Sequence, residues 1–259
     1  FLFFYKNCDM LNRQQEYQKM SVVESNHWWY KTLHNLVLES LFEYIPDKDS
    51  NILDAGCGSG GLITFLNSNK YKNITGFDLS DDAVSLSKEK KLNVVHGDIN
   101  DIEGIISKQY FDAIISNDTL YFLNSGEISK FLDSCSNGLR SGGVLILNIP
   151  VFEAFSGIHD ISVGIRKRFS RQDFNTFLVN KDFRIVRKTF WPFLLSPLIF
   201  ITRLVQRLRY ALFNPEVKSD IDLPRPLINN FLYRVTLLEV NNIKHSILGS
   251  SLFIVLQKK

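Results

Sequence analysis

The strongest constraint on this chain is an acid followed by glycines at the end of a short apolar run, Ile52-Leu53-Asp54-Ala55-Gly56-Cys57-Gly58-Ser59-Gly60-Gly61. An apolar run this short, ending at a turn signal, reads as a buried strand. Four glycines within six positions then turn the chain and let its backbone approach a ligand closely. A helix that starts at the turn aims its free N–H groups at the same ligand. Gly56-x-Gly58-x-x-Gly61 also satisfies the dinucleotide fingerprint, so the glycines alone leave the ligand open.

The acids around the turn narrow it. A carboxylate at Asp54 would repel a pyrophosphate but suits a ligand with an ammonium and a sulfonium charge, which favours S-adenosylmethionine (SAM). Asn73-Ile74-Thr75-Gly76-Phe77-Asp78 reads as a second strand ending in an acid about 20 residues on, the position that accepts from ribose hydroxyls. Leu92 to His96 gives a third strand, then Gly97 and Asp98, where a carboxylate can accept from an adenine amino group. A fourth, Tyr110 to Ser116, exits on Asn117-Asp118.

In order and spacing, Leu53-Asp54-Ala55-Gly56-Cys57-Gly58-Ser59-Gly60, Gly76-Phe77-Asp78-Leu79-Ser80, Gly97-Asp98-Ile99, Phe111-Asp112-Ala113-Ile114-Ile115-Ser116 and Leu139-Arg140-Ser141-Gly142-Gly143-Val144-Leu145-Ile146 resemble the motifs of class I SAM-dependent methyltransferases over roughly residues 50–190. The resemblance implies a Rossmann-like α/β fold, a seven-stranded sheet with helices on both faces. It implies that Asp54 lies near the methionine amino group, that Gly56, Gly58 and Gly60 pass under the methionine and ribose, and that Cys57 is a small residue of that turn. Asp78 would bind the ribose hydroxyls with Leu79 against the adenine. Asp98 and the backbone of Ile99 would take the adenine amino group, and Asn117 would close the methionine end.

A narrower resemblance rests on His27-Trp28-Trp29-Tyr30 and on His159-Asp160 followed by Gly164-Ile165-Arg166-Lys167-Arg168-Phe169. These are similar to a methyltransferase subgroup with an N-terminal His-Trp-Trp signature, found among genes for cell-envelope glycans and lipid-linked sugars. The subgroup implies a small-molecule, sugar or lipid-linked saccharide acceptor, methylated on oxygen or nitrogen and less readily on carbon. Where it has Gly-His-x-Arg-Arg-Tyr, this chain has Ile165 and Phe169. Where relatives read Asp-x-Leu-Glu-His, it has Asp118-Thr119-Leu120-Tyr121-Phe122, so no mechanism that needs that Glu-His pair carries over.

Methyl transfer needs chiefly alignment, and a base only where the acceptor loses its proton early. His159 is the candidate base with Asp160 beside it, or else a loop histidine bonded to backbone. Tyr121 lines the acceptor pocket or the core. Arg166 and Arg168 hold an anionic group of the acceptor or are solvated. Trp29 stacks on the acceptor or, with Trp28, packs the N-terminal helix. His27 lacks a second ligand at helical spacing, so no metal is expected.

A net charge of +3 gives a nucleic-acid partner no support. Three cysteines without metal or disulfide spacing suit a reducing cytoplasm. Residues 1–5 are too short for a bilayer span and read as a remnant or a short docking segment. Periodicity predicts a helical cap within 1–49 (one helix over about 11–45), a cofactor core over 50–190, an insertion over 191–242 and a last core strand within 243–259. In the insertion, 191–210 combines apolar residues with Arg203, Arg207 and Arg209. It predicts an amphipathic helix that serves as a lid or touches a membrane surface peripherally, interrupted by Pro197 and no transmembrane anchor. Two other classes stay open: a SAM-binding protein without transferase activity, and an NAD(P)-dependent oxidoreductase.

Overall fold

The computed structural model describes residues 13–107, 110–165, 167–213, 222–243 and 245–259, without the side chains of 13–16 and 159. The elements run α1 (Arg13–Val23), α2 (Trp28–Tyr44), β1 (Ile52–Ala55), α3 (Gly61–Ser68), β2 (Ile74–Asp78), α4 (Asp81–Glu89), β3 (Val94–His96), α5 (Ile102–Ile106), β4 (Phe111–Asn117), α6 (Ser125–Gly138), β5 (Leu139–Pro150), α7 (Ile158–Val163), α8 (Arg171–Phe177), β6 (Phe183–Trp191), α9 (Ser196–Phe213), α10 (Pro226–Asn242) and β7 (Ser251–Lys258).

The strands form one seven-stranded sheet in the order β3-β2-β1-β4-β5-β7-β6, as expected of the Rossmann-like methyltransferase fold. β1 to β5 pair in parallel, and β7 runs antiparallel between β5 and β6. Central strands are buried on both faces. On β5, Leu145, Leu147 and Ile149 join one apolar cluster while Val144 and Ile146 join the other. The strand order reverses between β1 and β4, and in such sheets the crevice at the carboxyl ends there is where ligands bind.

Two expectations are corrected. The N-terminal helix is two helices, broken at 24–27, where His27 Nδ1 accepts from Trp29 N at 3.2 Å as the N-cap of α2. The last strand begins at Ser251 rather than near 246. As expected, the last two strands, β6 and β7, form the antiparallel edge of the sheet. Gly249 explains the late start: a Cβ there would meet Phe190 C and Trp191 Cα at 2.7 Å. Backbone at that distance cannot yield, so Gly249→Ala is expected to cost about 2–3 kcal/mol in urea unfolding. An unchanged midpoint would show that β6 does not hold 249 this closely.

Candidate active site

The glycine turn leaves β1 at the switch point. Gly56 N and Cys57 N both donate to Phe77 O at 2.9 Å, which ties the turn to the end of β2. Gly60 stands in the left-handed region at φ 79°, as the residue that opens α3. The turn is roofed by α1: a Cβ on Gly58 would come within 2.5 Å of Met20 Cε.

The carboxylates around it have unequal partners. Asp78 Oδ2 accepts from Gly58 N (2.9 Å), and its Oδ1 from Ser80 N (2.9 Å) and Tyr17 Oη (3.3 Å). Glu24 Oε1 accepts from Ser59 Oγ (2.5 Å) and Lys90 Nζ (3.0 Å), so α1 is latched to the loop at two points. Asp54 is buried and, among the described residues, its Oδ2 has no donor; nor has the buried Asn117 Oδ1 at the end of adjacent β4. Burial, then the charges of Asp78 and Glu24, push the Asp54 carboxyl up to about 8. Burial likewise raises the Cys57 thiol far above its ordinary value, so it is no thiolate nucleophile.

A buried acceptor without a donor is costly, and two at one strand-end crevice suit a ligand that brings N–H donors or positive charge. SAM, with its ammonium and sulfonium, fits this pair of acceptors. A pyrophosphate facing Asp54, Asp78 and Glu24 does not. Past the end of β2, Leu79 is an exposed apolar side chain directly after Asp78. Asp98 Oδ1 accepts from Asn100 N at 2.8 Å and caps the short 99–101 turn that holds the half-buried Ile99.

The ends of β4 and β5 build the opposite wall. Asp118 sits at φ 53° and accepts from Asn148 Nδ2 at 2.9 Å. Asn148 Oδ1 accepts from Trp191 Nε1 at 2.9 Å, and Trp191 stacks on Trp29 with ring centroids 4.3 Å apart. Tyr121 is buried, and burial, then Asp118, holds its hydroxyl protonated well above the ordinary tyrosine range.

The expectation of a free Arg168 is corrected, and Asp160, expected beside the candidate base, is its partner. Both Asp160 oxygens accept from Arg168, at 2.6 and 2.8 Å, and both side chains are buried. Arg168 Nη1 also donates to Val151 O (3.3 Å) and Ser250 O (3.0 Å). Such a committed guanidinium fixes the segment after β5 to the entry of β7 rather than reaching for an acceptor. His159 lies on α7, its side chain outside the described residues, as is all of Arg166. Sequence reasoning missed Tyr17, Met20 and Glu24, whose helix carries no apolar periodicity, and the Asn148–Trp191 bond, which spans two strands.

Residues 53–147 match a family model described as "Methyltransferase domain". Among curated proteins, the chain is 26% identical over 155 residues to a carboxy-S-adenosyl-L-methionine synthase of Colwellia psychrerythraea, covering 56% of this chain and 62% of that one. It is 28% identical over 142 residues to a ubiquinone biosynthesis O-methyltransferase of Nitrosomonas europaea, covering 49% and 59%. The chain thus spans less than two thirds of the length of these relatives. Its fold is that of a solved TehB-like SAM-dependent methyltransferase from Corynebacterium glutamicum, with TM-score 0.56 and 16% identity over 96% of this chain and 97% of that one.

Proposed function

We propose that this chain, whose residues 53–147 belong to the methyltransferase-domain family, transfers a methyl group from SAM to oxygen or nitrogen of a small apolar or lipid-linked acceptor. The observation that carries the reading is the pair of donorless buried acceptors, Asp54 Oδ2 and Asn117 Oδ1, beside a glycine turn pinned to Asp78. Bound SAM supplies an electrophilic methyl carbon on a sulfonium. Asp54 and Asn117 would receive its ammonium end, Asp78 the ribose hydroxyls, and Leu79, Asp98 and Ile99 the adenine. The half-buried Trp29, backed by the fully buried Trp191 on which it stacks, suits one side of an apolar acceptor held beside the methyl group. The Nitrosomonas relative, by its name an O-methyltransferase of ubiquinone biosynthesis, supports oxygen as the methylated atom. His159, on the helix that follows the carboxyl end of β5, is the proposed base for an acceptor that must lose a proton, and Arg166 a contact for an acceptor's anionic group. Asp160 and Arg168 act as positioning residues.

Calorimetric titration with SAM, S-adenosylhomocysteine and NADH tests the cofactor. The first two are expected to bind, and Asp78→Asn to weaken both about 10- to 100-fold through lost charge-assisted hydrogen bonds. Binding of NADH alone would overturn the reading. SAM binding without turnover across an acceptor screen would leave a SAM-binding protein in place of a transferase.

A further inference from the structure

Helix α9 is inside out. Its half-buried flank is Ile199, Arg203, Gln206, Arg207 and Tyr210, whereas Leu198, Ile201, Leu204, Val205, Leu208 and Leu212 face outward, Ile201 57% and Leu212 74% exposed. A surface helix of a globular protein turns the other way, its apolar stripe to the core. The orientation is anchored: Arg207 Nη2 donates to Ala154 O at 3.4 Å, the Phe200 ring meets Phe155 edge-on at 6.4 Å, and a Cβ on Gly157 would meet Arg203 Cδ at 2.6 Å. Helix α10 repeats the pattern. Its polar side packs on α2, where Thr236 and Thr32 share a 2.7 Å hydrogen bond and Asn229 Oδ1 accepts from Trp28 N at 2.9 Å. Leu227, Ile228, Phe231 and Leu238 of α10 face outward.

We propose that α9, with the outer face of α10, binds the surface of an anionic lipid bilayer. Charge selects this occupant. From Trp191 to Phe213 and from Leu223 to Leu238 the sequence contains no Asp or Glu, and of its arginines Arg209, Arg225 and Arg234 are exposed, while Arg203 and Arg207 lie on the half-buried flank. Of the acids of this region, Glu216, Asp220 and Asp222 lie between the two helical sequences, and Glu239 is buried in α10, accepting from Phe193 N and Leu194 N. Apolar residues flanked by arginines are what an interfacial helix presents to anionic headgroups. A second copy is a poorer occupant, because an isologous contact would set these arginines against themselves. Insertion across the bilayer is excluded for the described helices, none being long and apolar enough to cross it. Because α9 packs against α7 and the 153–155 turn, membrane docking would bring the segment that carries His159 close to the lipid surface. Binding to lipid does not depend on the acceptor proposed above.

The test is flotation of the purified protein with vesicles of phosphatidylcholine, with and without phosphatidylglycerol, at low and high salt. The protein is expected to float with the phosphatidylglycerol vesicles and less so at high salt. The exposed double substitution Ile201→Glu/Leu208→Glu should lower partitioning at least about tenfold, and Arg209→Gln about fivefold. Calorimetric SAM affinity should be the same for all three proteins, which separates this outcome from failure of the cofactor site. The proposal is overturned if the wild type stays in the aqueous fraction, floats equally on pure phosphatidylcholine, or is unaffected by the substitutions. A dimer in sedimentation equilibrium that Ile201→Glu/Leu208→Glu dissociates, without flotation, would give the face to a second copy instead.

Discussion

Asp54→Asn is expected to flatten the pH dependence of stability in the cofactor-free protein while weakening SAM binding about 10- to 100-fold. The folded carboxyl titrates at about 8, and burial is the main cause. In the unfolded chain it titrates near 3.9. A folded value raised in this way means that the contribution of Asp54 to stability is fully present below pH 4 and is lost as pH rises through 8. Between pH 5 and 8 the loss amounts to roughly 4 kcal/mol, and asparagine, which does not titrate, removes it. Urea midpoints at the two pH values, wild type against variant, measure the difference directly. A bound ammonium reverses the cause, since positive charge beside Asp54 favours its ionised form. SAM binding near pH 7 should therefore release a proton, strengthen as pH rises toward 8, and show a calorimetric heat that depends on the buffer's ionisation heat. Parallel pH curves for the two proteins, with equal SAM affinity, would remove Asp54 from the site.

The same residue shows why the cofactor end was legible in sequence. Parallel strands buried on both faces are continuous apolar runs, so an acid at the end of one, as at Asp54 or Asp78, stands out against its neighbours. Glycines at positive φ and strand-end acids are local signals, and the strand order follows from a small set of permitted crossovers. What escaped was long-range or directional. Helix α1 packs on the glycine turn through Tyr17, Met20 and Glu24, singly placed residues without an apolar stripe. Asn148 meets Trp191 because β7 lies between β5 and β6, a neighbourhood that periodicity does not encode. The apolar content of α9 was visible in the sequence, but its turning of that face away from the protein was not, because period alone does not say which side a neighbour covers.

Adjacency in the sequence names the neighbour of Asp160 but not its partner. Asp160 instead finds Arg168 across the Gly164 turn, and this buried pair carries the second large effect. Asp160→Leu would leave a guanidinium buried without its carboxylate, and Arg168→Met a carboxylate without its guanidinium, each an expected loss of about 3–5 kcal/mol. Asp160→Leu/Arg168→Met removes both charges and should cost less than either single change, though the Val151 and Ser250 carbonyls then lose their donor, at about 1–3 kcal/mol. Urea unfolding of the four proteins forms a double-mutant cycle, and a coupling of 2 kcal/mol or more, a rough threshold for directly bonded partners, is the expected outcome. Single substitutions that each cost under about 1 kcal/mol would show the pair to be incidental. Because the pair fixes the segment that bears His159 and not the glycine turn, the folded variants should keep their SAM affinity and lose turnover. A fall in SAM affinity with turnover intact would place the function of the pair at the cofactor end of the sheet.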